Sequence, residues 1–276
     1  MILKGGVAMH QKLIALDLDG TTLNPDAQIT LKTQRTLTEL QNAGHIVSIV
    51  TGRPNRLSES IYQQLRLTSP MVNFNGALMH IPGQTWAGEY QYTINKAIVF
   101  QLFQLKERFK IQMIAAEGKT MFLADQAYAN SLSFFPTTLK SDEILTQASL
   151  KQEPAAVTVF VERADQNALR AEILREFPDV SVNTWGGPAS VLEIVHRGIH
   201  KTTGLAKLAA HYDIDQSDII AFGDESNDLE MLAYAGTGVA MQNAIAPIKA
   251  IADDITPLTN AQDGVANYLR QYFKMD

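Results

Sequence analysis

The chain has 276 residues and no cysteine, with 46% hydrophobic and 19% charged residues and a net charge of −6 from 23 basic and 29 acidic side chains. This composition excludes a disulfide framework, a thiol nucleophile and thiolate metal sites, and it supports a globular core in one large domain or two modest ones. The acidic balance without a basic block argues against nucleic acid as a partner. Without a membrane-length apolar run or a convincing signal peptide, a cytoplasmic location is expected.

Residues 1–8 precede a second methionine, Met9, and read as an upstream start or a disordered leader with no assigned function. Residues 13–18 then read as a short buried strand that ends in Asp17 and Asp19, followed by Gly20, Thr21 and Thr22. An apolar run closed by a glycine turn is the pattern of a central strand in a parallel sheet. Such a strand carries acids only at its end, where they can meet solvent, a cation or a substrate. One residue apart, the two acids project to the same side while the chain stays extended.

Residues 30–43 have helical spacing and stop at Gly44, a C-terminal cap. Residues 46–50 form a β-branched strand, followed by Thr51-Gly52-Arg53-Pro54 and a polar helix over 55–65. A strand over 71–74 closes in the turn pair Asn75-Gly76. Strand–helix–strand order with short connections predicts an α/β fold, a Rossmann-like doubly wound parallel sheet. From Pro82-Gly83 the pattern changes to a helix (94–109), strands near 111–116, 121–123 and 157–162, a helix near 165–177, and strands near 180–182 and 191–194. Residues 82–196 are therefore expected as an α+β cap domain inserted between the halves of the core, 1–81 and 197–276. The last part returns to the first pattern: helix 202–212, strand 219–222, helix 229–235, strand 237–241 and helix 261–273.

Four features fall at predicted strand ends or nearby turns, where open α/β sheets place their ligands. They are Asp17 with Asp19, Thr51-Gly52-Arg53, Lys201, and the run Gly223-Asp224-Glu225-Ser226-Asn227-Asp228. Several carboxylates without cysteine or a histidine cluster suit a hard, oxygen-preferring cation, and Mg²⁺ suits them best. A phosphate ester follows. The cation and a lysine would neutralise phosphoryl oxygens, and a threonine hydroxyl and backbone amides would hold them. A carboxylate could attack phosphorus, and a second carboxyl two residues on could carry the proton of the leaving alcohol.

Each feature also has a plainer reading. The two acids could be solvated at a strand end, Arg53 could form a surface ion pair, and Asp224 to Asp228 could cap the next helix. His196 and His200, four apart across Gly198, read as surface histidines. Trp185-Gly186-Gly187-Pro188 reads as a loop of the inserted region or the lining of a substrate entrance.

Asp17-Leu18-Asp19-Gly20-Thr21 resembles the D-x-D-G-T signature of the haloacid dehalogenase (HAD) superfamily, and Thr51, Lys201 and the Gly-Asp-x-x-Asn-Asp pattern at 223–228 match its other motifs in order. The insertion after the second motif, Asn75-Gly76, and Leu192-Glu193-Ile194 shortly before Lys201 are similar to the Cof-type sugar-phosphatase branch. The resemblance implies Asp17 as nucleophile and Asp19 as general acid/base. It implies Mg²⁺ held by the Asp17 carboxylate, the Asp19 carbonyl and Asp224, with the phosphoryl group gripped by Thr51, Gly52 and Lys201. Asn227 would position substrate phosphate, and Asp228 would brace the metal shell or Lys201. The chain departs from the family at Met241-Gln242-Asn243-Ala244 and at Thr259-Asn260-Ala261-Gln262-Asp263-Gly264, outside the core motifs.

The expected activity is a Mg²⁺-dependent phosphatase acting on a small phosphorylated metabolite, a sugar phosphate in the first instance. A phosphotransferase or mutase would use the same motifs, and a receiver-like phospho-acceptor module is the non-enzymatic alternative. The absence of Gly-x-Gly-x-x-Gly after the first strand argues against dinucleotide binding.

Overall fold

The structure is a computed structural model that describes residues 10–128, 134–184 and 190–275. Residues 1–8 and the Trp185-to-Pro188 segment lie outside the described residues. The chain begins with β1 (Leu13–Leu16), α1 (Leu31–Asn42), β2 (Ile46–Ile49), α2 (Glu59–Gln64), β3 (Met71–Asn73) and β4 (Leu78–His80). There follow β5 (Tyr90–Gln91), α3 (Ala97–Leu105), β6 (Met113–Gly118), β7 (Met121–Ala124), β8 (Ala156–Phe160), α4 (Arg163–Glu176), β9 (Val180–Thr184) and β10 (Val191–His196). It closes with α5 (Lys201–Tyr212), β11 (Ile219–Gly223), α6 (Leu229–Tyr234), β12 (Thr237–Ala240), α7 (Ala246–Ile251), β13 (Asp254–Ile255) and α8 (Gly264–Tyr272). These elements form two compact units, one from the residues up to Tyr90 together with His200 onward, the other from Gln91–Ile199.

The first unit is built on a parallel sheet of order β13-β12-β11-β1-β2. Leu13 of the central strand stands opposite Ile46 on one side and Ile219 on the other. All four β1 side chains are fully buried, which is why the strand is apolar throughout rather than alternating. In α1 the buried residues Thr33, Thr36, Leu37 and Leu40 follow helical spacing, so one face packs inward. Thr30 caps its start by accepting a hydrogen bond from the Thr33 amide, and Gly44, at φ +91°, turns the chain into β2.

The strand over Met71–Asn73 does not continue the doubly wound sheet in the simple order the sequence suggests. It pairs antiparallel with β4, Met71 opposite His80, and meets the main sheet through an isolated parallel bridge between Val50 and Val72. The cause is local: Phe74 and Asn75 both take positive φ, 50° and 52°, which reverses the chain directly after β3. The polar helix over 55–65 is likewise split, into a turn at Asn55–Leu57 and α2. The break falls at Ser58, whose hydroxyl donates to the Pro54 carbonyl.

The second unit is an antiparallel sheet of order β7-β6-β8-β10-β9. Alternation along the strands divides its two faces. Ile114, Ala116, Val157, Val159, Leu192 and Ile194 share a core with Val99 and Leu102 of α3 and with Leu169 and Ile173 of α4. Met113, Ala115, Phe160 and Val191 pack on the other face with Phe135. Among the described residues, no helix is long and apolar enough to cross a membrane.

Candidate active site

The parallel sheet brings its chemistry to one edge, because all its strands run the same way and their C-terminal ends share a side. Asp17 follows β1 directly, Thr51 lies two residues beyond β2, Asp224 follows β11, and Lys201 is the first residue of α5. The Asp17 amide donates to the Phe222 carbonyl at 3.2 Å, extending the ladder to the carboxylate itself. Residues 18–22 then make a tight turn in which the Thr22 hydroxyl donates to the Asp17 carbonyl at 2.6 Å.

The centre of the site is an ion-pair relay with almost no exposure. The Lys201 ammonium donates to Asp17 Oδ1 at 2.5 Å and to Asp228 Oδ1 at 2.6 Å. Lys201 is 1% exposed, Asp17 6% and Asp228 0%, so these charges are compensated by each other rather than by water. Asp228 uses its other oxygen to accept the backbone amides of Asp224 and Glu225, at 3.0 and 3.1 Å, which shapes the 223–228 turn. The two carboxylates hold the Lys201 ammonium charged despite the burial that opposes it.

Asp17, Asp224 and Asp228 each offer an oxygen within 4.8 Å of the others. Burial pushes Asp17 well above the usual carboxylate range. Lys201 opposes this, and the charges of Asp228 and Asp224 add to it. Burial likewise pushes Asp224 up to about 7, opposed by the Thr21 hydroxyl that donates to it at 2.7 Å. Three carboxylates facing one ammonium leave an excess of negative charge, and an all-oxygen donor set fits a hard divalent cation. His196 and His200 belong to no metal-holding group among the described residues. His200 stands at the N-cap of α5, and the His196 ring lies against Tyr92.

Asp19 stands apart. Its side chain is 51% exposed, and both its oxygens are taken by Arg53, at 2.7 Å from Nε and 2.5 Å from Nη2. The ion pair suggested for Arg53 thus exists, but it lies in the site and closes on the second acid of the motif. Thr51 is buried; its hydroxyl accepts from the Arg53 amide at 3.2 Å. Gly52 lies against Asn75, and Asn75 accepts from the Asn227 side chain at 2.9 Å.

Close approach leaves no room for a side chain at Gly20 or Gly76. A Cβ on Gly20 would lie 2.1 Å from an Asp224 oxygen, and one on Gly76 would lie 2.1 Å from the His200 carbonyl. Gly76, at φ +102°, lets the β3–β4 turn touch the start of the helix that carries Lys201.

Sequence reasoning did not single out several residues that support the site. Asn73 donates to the Arg53 carbonyl and to Ser58, and accepts from buried His80 at 3.1 Å, fixing the Thr51–Arg53 loop from below. Asn243 donates to the Gly20 carbonyl at 2.7 Å, while Asn260 binds Asn243 Oδ1 and the Leu23 carbonyl. Both lie in the two stretches that depart from the family pattern, so those stretches brace the turn after β1. The available signal was the asparagine itself in a loop, since its side chain can donate and accept at once and so tie two backbones together.

The haloacid dehalogenase-like hydrolase family matches residues 14–269. The chain belongs to this family. It is 38% identical over 267 residues to the Bacillus subtilis (strain 168) protein YitU, a 5-amino-6-(5-phospho-D-ribitylamino)uracil phosphatase, covering 95% of this chain and 98% of that one. A haloacid dehalogenase-like hydrolase from Bacteroides thetaiotaomicron superposes with a TM-score of 0.81 at 26% identity, over 96% of this chain and 100% of the other. A HAD subclass IIB sugar phosphatase shares the fold at a TM-score of 0.76 and 22% identity, over 96% of this chain and 100% of that one. The HAD-like chain is thus a phosphoric monoester hydrolase acting on phosphorylated substrates, with an α/β core and an additional antiparallel sheet.

Proposed function

We propose that the chain is a Mg²⁺-dependent phosphatase for a small phosphorylated sugar or sugar alcohol, working through an aspartyl-phosphate on Asp17. The observation that carries this reading is the buried relay in which Lys201 holds Asp17 Oδ1 while Asp224 and Asp228 complete an acidic triad. With Oδ1 on Lys201, Asp17 Oδ2 attacks phosphorus and the bond from phosphorus to the leaving oxygen breaks. Asp19 gives that oxygen its proton, then takes one from the water that hydrolyses the acyl phosphate. Lys201, the Thr51 hydroxyl and the Gly52 backbone hold the phosphoryl oxygens, and Asn227, steadied by Asn75, positions them. Asp17, the Asp19 carbonyl and Asp224 would hold the cation, which would offset charge on the phosphoryl oxygens, and Asp228 braces Lys201. The unit Gln91–Ile199 takes the role of a cap that selects the leaving group.

The sugar or sugar-alcohol class is supported by the resemblance to YitU, whose named substrate carries a phosphorylated ribityl chain. The test is phosphate release from D-ribose 5-phosphate, ribitol 5-phosphate, D-glucose 6-phosphate and 5-amino-6-(5-phospho-D-ribitylamino)uracil, each with Mg²⁺ and with a chelator. Metal-dependent release from at least one supports the reading. An isomeric phosphate without free phosphate would make the enzyme a mutase, and no turnover of any would favour a phospho-acceptor role.

A further inference from the structure

Asp19 has to do chemistry with an oxygen that the structure shows to be engaged. Both carboxylate oxygens accept from the Arg53 guanidinium, at 2.7 and 2.5 Å, so a leaving oxygen has to share the carboxylate with the guanidinium or displace it. The two partners are unequally held. The Arg53 side chain is only 10% exposed. Its backbone is fixed at both ends, with its amide on Thr51 Oγ1 and its carbonyl accepting from the Phe74 amide and Asn73. Asp19 is 51% exposed. The guanidinium is therefore the anchored half of the clamp and the carboxylate is the half that can leave.

Position indicates what replaces it. The phosphoryl side of the site is served by Lys201 within the Asp17–Asp224–Asp228 cluster, and the Asp19 side chain lies outside that cluster. A group that pairs with Asp19 stands where the proposed acid stands, on the side of the leaving alcohol. An arginine fork there presents planar N–H donors, which suit oxygen acceptors and give nothing to a bare hydrocarbon.

We propose that Arg53 is a leaving-group recognition residue that clamps Asp19 in the resting site and exchanges it for an oxygen acceptor on the substrate's leaving group. The inference rests on the phosphatase reading above and adds to it a rule for the substrate. Favoured esters carry further hydroxyl or carbonyl oxygens on the alcohol portion, and esters without them must open the clamp unaided. Only a ligand that binds the opened state better shifts that equilibrium, so acceptor-bearing substrates recruit their own acid/base and plain ones do not.

The experiment compares the wild-type chain with Arg53→Ala and Arg53→Lys on two esters. One is whichever of D-ribose 5-phosphate, ribitol 5-phosphate and D-glucose 6-phosphate is turned over best; the other is phenyl phosphate, whose leaving group offers no further oxygen. Losing a charge-assisted hydrogen bond predicts a fall of about 10–100-fold in kcat/KM for the sugar ester in Arg53→Ala, carried mainly by KM. Releasing an ion pair that is open to solvent on its Asp19 side predicts a rise of about 2–5-fold in kcat for phenyl phosphate. Arg53→Lys, which keeps the charge but loses the fork, gives the same crossover at smaller amplitude, and carries the test if Arg53→Ala does not fold. An equal fall on both esters would place Arg53 on the phosphoryl group or the scaffold and overturn the inference. Wild-type enzyme that prefers phenyl phosphate would overturn it too. Absence of turnover of either ester by the wild type would instead overturn the phosphatase reading, and the inference with it.

Discussion

Lys201→Met tests the relay at its single cation. Methionine retains much of the lysine stem's volume, so the change removes charge with little cavity. It leaves Asp17 and Asp228 facing each other in a site where the three side chains are 8% exposed or less. Removing one partner of a buried ion pair costs about 3–5 kcal/mol. At about 2–4 °C per kcal/mol for chains of this size, the cation-free protein should unfold about 10 °C lower. Because burial already pushes Asp17 up, protonation relieves the repulsion, so the deficit shrinks as pH is lowered. Adding Asp228→Asn should restore about half the lost stability and none of the activity. Phosphate release should fall about 10²–10³-fold in both variants, the usual effect of deleting one donor to a developing anion. The assays are thermal unfolding by circular dichroism with and without Mg²⁺, alongside phosphate release. An unchanged unfolding temperature, or activity restored by Asp228→Asn, would refute the reasoning.

Four other outcomes follow from the structure. Asp224, pushed up to about 7 chiefly by burial, binds a proton in competition with a cation. Calorimetric Mg²⁺ affinity should therefore fall by at least about tenfold per unit as pH drops below 7, with Asp17 adding to the slope where it also takes up a proton, and a flat profile would count against Asp224 as a ligand. His45 is buried, accepts the Lys12 amide on Nδ1, and has its pKa lowered from 6.5 by burial and then by Lys12. Its neutral form is favoured only in the folded state, so this contribution is intact above 6.5 and is lost as pH falls below it. Urea midpoints should drop more between pH 7 and 5.5 in the wild type than in His45→Asn. Gly76→Ala should destabilise the fold and reduce phosphate release, because its Cβ would meet the His200 carbonyl at 2.1 Å. Gly83→Ala, where φ is +71° but nothing lies within 4 Å, should retain activity and lose only the modest stability of a strained turn.

Much of the first unit was legible because the pattern of burial is local. β1 is apolar on both faces since all four of its side chains are buried, and α1 announces itself by spacing, a threonine cap and a glycine stop. Several other short elements were not legible. β4 has three residues, β13 two and α7 six, too few for any period to stand out. The reversal at Phe74 and Asn75 placed β3 against β4, and nothing about phenylalanine suggests positive φ. Asn75 was visible as half of a turn pair, yet its bond to Asn227 spans 152 residues.

The two acids after the first strand belong to what the sequence by itself determined. An apolar run long enough for one strand, ended by carboxylates and a glycine, has few stable placements other than the C-terminal edge of a buried sheet. Which partner each acid takes was decided only by tertiary structure. Asp17 meets Lys201 from 184 residues away, and Asp19 meets Arg53 from 34 residues away. Those pairings depend on which strand ends stand side by side, and strand order is set by packing of the whole sheet rather than by any local period. The motif declares two carboxylates; the fold makes one a buried ion-pair partner and the other a half-exposed arm held by an arginine.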